Sequence, residues 1–159
     1  MIKTIYLDMD GVLCNFEDMA VGKRALDLVS RTVNWELIKS FGSEFWEELP
    51  WIREGLRLYT WLYTFCIQNK IDLCILSAVA LEDGKIGKLN WIKNNIKINP
   101  LCIYFVDSGK DKKHFAEENA ILIDDYSKNV SEFISAGGKA ILFNNDAKEV
   151  VDKIKKIMD

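Results

Sequence analysis

An α/β domain with a mostly parallel five-stranded sheet, interrupted after its first strand by a small helical cap, is the fold class that the sequence predicts. Three observations lead to it. Five short apolar segments rich in β-branched residues alternate with segments of helical period, the pattern of a parallel sheet covered on both faces. The 159 residues, about half of them hydrophobic, suffice for one domain with its own core. More than sixty residues separate the first strand from the second, whereas a simple crossover needs a dozen or so. The extra chain is an insertion, placed at about residues 16–53 of a single domain spanning 1–159.

Ile2, Ile5, Tyr6 and Leu7 open the chain as a short buried strand. Asp8 and Asp10 follow at spacing two, with Gly11 next. In an open α/β sheet, ligands bind outside the carboxyl ends of the strands. If strand geometry persists, Met9 points away and the two acids face the same space. Carboxylates this close are costly to ionise unless a cation or hydrogen bonds compensate. Mg²⁺ suits them, since it takes one or two carboxylates together with waters and a phosphate oxygen. Gly11 allows a sharp turn and close approach of a ligand. Taken alone, D-x-D-G also reads as an ordinary strand-ending turn.

Within the insertion, Glu17 to Val29 reads as an amphipathic helix through Val21, Ala25 and Leu28. Trp35 to Phe41 is a second helical piece ending at Gly42, and Ser43 caps a third that carries Phe45 and Trp46. Four of the five tryptophans, Trp35, Trp46, Trp51 and Trp61, fall between the first two strands. Aromatic side chains bury large areas, so a satellite core explains any one of them. The functional alternative is a cap over the acidic site, with one or two aromatics exposed to stack on a flat substrate group. Pro50 interrupts the pattern, and Glu54 to Gln68, with Leu58, Trp61, Leu62, Phe65 and Cys66, is the crossover helix.

From Ile71 the alternation is regular. Ile71 to Leu76 is a strand with Ser77 and Ala78 at its carboxyl end. Gly84 to Ile96 is a helix with Leu89, Ile92 and Ile96 on one side and Lys85, Lys88 and Lys93 on a solvated face. A strand at Leu101 to Val106, a polar turn at Asp107 to Gly109 and a short helix through His114 and Phe115 come next. The strand at Ala120 to Ile123 ends in Asp124 and Asp125. Ser127 to Ala136 is a helix closed by Gly137 and Gly138. Ala140 to Phe143 is the last strand, and Lys148 to Met158 closes the chain as an amphipathic helix.

Composition argues against several function classes. A net charge of −3 without a Lys/Arg block argues against a nucleic-acid partner. The four cysteines, Cys14, Cys66, Cys74 and Cys102, form no C-x-x-C pair, and His114 is the single histidine. That argues against zinc and leaves the cysteines as packing residues, with His114 near the surface. No apolar run can span a bilayer and no signal-type segment is present, so no membrane partner and a reduced cytoplasmic setting are expected.

Four clusters fall at strand ends: Asp8/Asp10, Ser77, the group Lys110/Lys112/Lys113, and Asp124/Asp125. Their identity and order, spread over the whole chain, resemble the haloacid dehalogenase-like (HAD) phosphohydrolases. The resemblance implies a HAD-like Rossmannoid three-layer fold, with Asp8 attacking phosphorus to form an aspartyl phosphate. It implies that Asp10 serves as acid and base, that Ser77 and Ala78 bind phosphate with a lysine, and that Mg²⁺ is held by Asp8, Asp10, Asp124 and Asp125. For the lysine, Lys112 in its D-K sequence ranks ahead of Lys113 and Lys88. The resemblance also implies, through Asp rather than Thr at position 10, a turnover phosphatase over a long-lived phosphoenzyme.

The DMDGVLCNF opening, the L-S-A of the second strand and I-L-I-D-D-Y look most similar to the 5′(3′)-deoxyribonucleotidases, whose compact helical cap lies where the aromatic interval lies here. That resemblance implies a small phosphorylated metabolite, a nucleoside monophosphate, with Phe16, Phe45 or Trp46 against the base. The alternatives are a HAD phosphatase for a sugar phosphate or a polynucleotide 3′-phosphate, and a receiver-like phosphoacceptor domain. A receiver carries its acceptor Asp after a middle strand and has no long early insertion.

Overall fold

A computed structural model describes residues 1–159. The chain opens with β1 (Thr4–Leu7) and enters the insertion. This comprises α1 (Phe16–Gly22), a hairpin of β2 (Leu26–Asp27) and β3 (Thr32–Val33), α2 (Trp35–Ser40) and the single turn α3 (Glu44–Glu47). It returns through α4 (Arg53–Asn69) to β4 (Asp72–Ala78). Then follow α5 (Glu82–Asn95), β5 (Ile103–Val106), β6 (Ala120–Asp124), α6 (Ser127–Ser135), β7 (Lys139–Leu142) and α7 (Ala147–Met158). Short 3₁₀ turns occupy Pro100–Cys102 and Gly109–Phe115.

Five strands form one sheet in the order β5-β4-β1-β6-β7, and every pairing in it is parallel. β1 lies in the middle, with Leu7 opposite Ile75 on one side and Ile123 on the other. This register brings the ends that carry Asp8, Ser77 and Asp124 side by side. Successive side chains point to opposite faces. Ile5, Leu7, Ile75 and Ile121 join a large core with Leu58 of α4 and Val150 and Ile154 of α7. Leu76, Ala120 and Leu122 pack on the other face against Phe133 of α6. Each fully buried aliphatic side chain contributes roughly 1.5–3 kcal/mol relative to exposure, which binds the three layers together.

The insertion shares this core. Ala20, Ala25, Ile38, Phe45, Trp46 and Leu49 belong to the same continuous cluster as the sheet residues. Its two ends run side by side: Asn15 N donates to Pro50 O and Ile52 N to Leu13 O, each at 2.8 Å. The Trp91 indole of α5 donates to Leu49 O at 2.8 Å and pins the return segment to the sheet layer.

Three elements differ from expectation. The helix expected over Glu17 to Val29 stops at Gly22, because glycine is a poor helix former. Asp27 Oδ1 also accepts from the backbone N–H groups of Val29 and Ser30, a local turn that competes with the helix and yields the β2–β3 hairpin. The strand expected from Leu101 begins at Ile103, since Pro100 starts a 3₁₀ turn. The buried face of α5 is Gly84, Gly87, Lys88, Trp91 and Ile92, while Leu89 is exposed. Lys88 is therefore not on a solvated face. A Cβ at Gly87 would lie 2.3 Å from Ser43 O and 2.5 Å from Trp46 Cβ, so its absence lets α3 rest directly on α5.

No helix is long and apolar enough to cross a membrane. All four cysteines are free, and His114 is exposed.

Candidate active site

Asp8 follows the last residue of β1 and is buried. Its Oδ1 accepts from Met9 N at 2.8 Å and pairs with Lys112 Nζ at 2.9 Å, and its Oδ2 takes no hydrogen bond from the chain. Lys112, on the Gly109–Phe115 turn, is 2% exposed and also donates to Asp124 Oδ2 at 2.7 Å. Asn129 Nδ2 shares that oxygen at 3.1 Å, and Tyr126 N donates to Asp124 Oδ1 at 2.9 Å. Both oxygens of the fully buried Asp124 are thus committed to the protein, and it anchors Lys112. Burial lifts the Asp8 carboxyl to about 7, with Lys112 pulling it down and Asp124 and Asp10 pushing it further up. Desolvation works against the Lys112 charge, but Asp8 and Asp124 outweigh it and hold this ammonium above its ordinary range.

Asp125 lies one residue past β6 with its carboxylate against Gly11. A Cβ at Gly11 would fall 2.0 Å from Asp125 Oδ2, and Gly11 has φ of +82°. Only glycine meets both conditions without strain. Open to solvent on one side, Asp125 is lifted to about 6 by partial desolvation and then by Asp124. Asp8, Asp124 and Asp125 each offer a carboxylate oxygen, all within 4.8 Å of one another. Three hard donors with more negative charge than Lys112 balances fit Mg²⁺. With Asp124 committed elsewhere, Asp8 and Asp125 are the residues with oxygens to spare for it. The side chain of Asp10, expected as a further ligand, stands outside this group because Lys88 holds it.

Lys88 Nζ donates to Asp10 Oδ2 at 2.8 Å, Ser77 Oγ at 2.9 Å and Ala78 O at 3.2 Å. It is 1% exposed, against 32% for the Asp10 side chain. Asp10 Oδ1 is shielded from solvent and accepts no hydrogen bond. A buried acceptor in that condition costs about 1–3 kcal/mol, which a donor on a ligand removes. The sheet edge therefore carries two lysines: Lys112 behind Asp8, and Lys88 between Asp10 and Ser77. Lys113 is exposed and outside the group.

A cavity of about 650 Å³ adjoins Asp10, Lys88 and Ala78, within the size range of small-molecule sites. Phe16, Trp35, Trp46 and Lys39 wall it on the cap side, and the loop at 107–109 contributes from the end of β5. The Phe16 ring is stacked on Trp46 at 5.6 Å and lies 5.9 Å from Trp35. Phe45 does not line the cavity. It is 2% exposed, edge-on to Phe16 at 5.7 Å and to Trp46 at 5.2 Å, so it supports the wall from behind. Trp35, 49% exposed, takes the wall position that Phe45 was expected to fill. Ser77 is fully buried behind Lys88, and Cys14 is buried beside the acidic turn with burial raising its thiol.

No protein-family model matches the chain, and no curated protein sequence does. Solved structures match it in shape. The chain is similar to a hydrolase from Pseudomonas syringae, with a TM-score of 0.59 at 14% identity over 99% of each chain. It is similar to a HAD-superfamily hydrolase of subfamily IA, variant 1, from Geobacter sulfurreducens PCA, with a TM-score of 0.55 at 14% identity over 96% of this chain and 99% of that one. A third is the L-2-haloacid dehalogenase of Xanthobacter autotrophicus, with a TM-score of 0.53 at 12% identity over 88% and 76%. At these identities the likeness is one of fold: a five-stranded parallel sheet with helices on both sides, as in HAD-like hydrolases.

Proposed function

We propose that the chain is a Mg²⁺-dependent phosphomonoester hydrolase acting through an aspartyl phosphate on Asp8, with (deoxy)ribonucleoside monophosphates as substrates. The observation that carries this reading is the separation of two neighbouring acids onto two different lysines. Asp8 is fixed by Lys112 with one oxygen left free, and Asp10 is held by Lys88 with one oxygen unpartnered. One suits a nucleophile and the other a proton carrier.

In the first half-reaction the Asp8 carboxylate attacks phosphorus, the bond from phosphorus to the leaving oxygen breaks, and Asp10 gives that oxygen its proton. In the second, Asp10 takes a proton from a water whose oxygen attacks the same phosphorus. The bond to Asp8 breaks, and phosphate and free Asp8 are restored. Lys88 neutralises phosphoryl oxygens at the floor of the cavity, while Lys112 keeps Asp8 in line. Mg²⁺ held by Asp8 and Asp125 would offset the remaining phosphoryl charge, the dominant requirement in this chemistry. The aromatic wall of Phe16, Trp35 and Trp46 beside the phosphate end supports a flat-ringed leaving group.

The test is Mg²⁺-dependent hydrolysis of p-nitrophenyl phosphate, expected to fall at least about 10³-fold in Asp8→Asn. Wild-type turnover in that variant removes the nucleophile assignment. Nucleotides and sugar phosphates are then ranked by kcat/KM, and the nucleotide assignment fails if no nucleotide outranks the sugars.

A further inference from the structure

We infer that Asp107 sets the specificity of the cavity by accepting hydrogen bonds from a pair of O–H or N–H donors on the part of the substrate remote from its phosphate. The inference rests on the phosphatase reading given above. Asp107 directly follows the last residue of β5 and lines the same cavity as Asp10, Lys88 and Trp35. It is exposed, and no lysine or arginine pairs with it.

Position gives it a remote target. β5 is two strands from β1 in the sheet. Through the register of Leu7 with Ile75 and Ile75 with Ile103, Asp107 stands three residues further along the strand direction than Asp8. With strands about 4.8 Å apart and a rise of about 3.3 Å per residue, its backbone is displaced roughly 10 Å sideways and roughly 10 Å outward. A phosphoryl group alone cannot bridge that span. A phosphorylated sugar carrying a ring can.

Charge gives it a chemical preference. At the phosphate end the ammonium groups of Lys88 and Lys112 stand against their aspartates, whereas Asp107 places a carboxylate with no cation beside it at the other end. An ionised carboxylate only accepts hydrogen bonds, and its two oxygens take two adjacent donors. Such donors occur on the hydroxyl pair of a ribose and on the amino and imino edge of a base. A second phosphate at that end is repelled. The indole of Trp35 and the ring of Phe16 offer faces that accept any flat ring. Asp107 is the group that tells one leaving group from another, because a site built around a donor rejects analogues lacking it.

The experiment compares wild type, Asp107→Ala and Asp107→Asn on ribonucleoside and deoxyribonucleoside 5′-monophosphates, nucleoside 3′,5′-bisphosphates and p-nitrophenyl phosphate. The ratio of kcat/KM for monophosphates over p-nitrophenyl phosphate is expected to fall about tenfold in Asp107→Ala. The discrimination against bisphosphates is expected to relax in both variants. A loss confined to ribonucleotides assigns the contact to the sugar, and a loss that follows base identity assigns it to the base edge. An unchanged ratio in both variants overturns the inference. If wild type hydrolyses none of the compounds, the phosphatase reading fails, and quenching of tryptophan fluorescence decides Asp107 separately. The affinity for a nucleoside monophosphate should then weaken about tenfold relative to that for inorganic phosphate in Asp107→Ala, and equal weakening of both overturns the inference.

Discussion

Lys112 and Lys88 are both almost fully buried at the same sheet edge and both join an aspartate to a second polar partner, yet their surroundings differ. Around Lys112 the chain supplies every partner: Asp8, Asp124, and behind them Asn129 and the Tyr126 amide. Around Lys88 the partners are Ser77, the Ala78 carbonyl and an Asp10 that is one-third exposed with an oxygen to spare. One lysine belongs to a sealed frame and the other to a surface that meets the cavity. The difference teaches how labour is divided in this fold. On the proposed function, adjacent parallel strand ends hold the reacting groups, and the insertion with the loop after β5 decides what reaches them.

The sharpest way to break this comparison is to remove each ammonium. Lys112→Ala leaves two carboxylates buried without their cation and should cost about 3–5 kcal/mol in urea denaturation. Lys88→Ala, whose carboxylate partner reaches water, should cost about 1–2 kcal/mol while still lowering turnover. Equal losses of stability in the two variants would erase the distinction.

A second measurement tests the frame through protons. The folded-state values of Asp8 and Asp125 are raised to about 7 and about 6 from an ordinary 3.8. In the Mg²⁺-free protein these groups bind protons that the unfolded chain has released. Their stabilising contribution is complete below 3.8 and is lost as pH rises through about 6 to 7. Bound Mg²⁺ competes with the same protons. Saturating Mg²⁺ should therefore raise Tm by roughly 5 °C or more near pH 8, and by half of that or less near pH 5.5. A Tm increment independent of pH would detach the metal from these two carboxylates.

The smallest effect concerns the cavity wall. Trp35→Ala removes an exposed stacking surface and should raise KM for a nucleoside monophosphate about tenfold. Trp61→Ala, on α4 away from the cavity, should leave it unchanged. If the two substitutions act alike, the wall is not where the ring binds.

The sheet and its acidic ends were legible because strand alternation, D-x-D-G and the Asp124/Asp125 pair are local patterns that survive without tertiary information. Lys88 ranks last of the three lysines because it lies furthest in sequence from the acid pair, and the apolar period of α5 puts Leu89, Ile92 and Ile96 on the inner side. The actual face begins with Gly84 and Gly87, residues with no hydrophobic signal, and their spacing of three before Lys88 and Trp91 was the available clue. That Trp35 lines the cavity and Phe45 does not has a related cause. Aromatic content marks a region that buries area, but which ring turns inward depends on how α2 and α3 pack, and those helices are too short for period to decide. The hairpin after α1 was hidden because Asp27 acts through its own backbone neighbours, a preference that hydrophobic spacing does not register.

The seam between the insertion and the sheet has a mechanical consequence. With Asn15 tied to Pro50, Leu13 to Ile52, and the Trp91 indole to Leu49, the aromatic roof cannot swing away as a rigid flap without tearing open the hydrophobic interior it shares with the central strand. Compounds must instead enter the cavity between the aromatic wall and the loop at 107–109. The molecule is thus a vessel with a fixed lid, and heating should melt roof and floor together in one cooperative step.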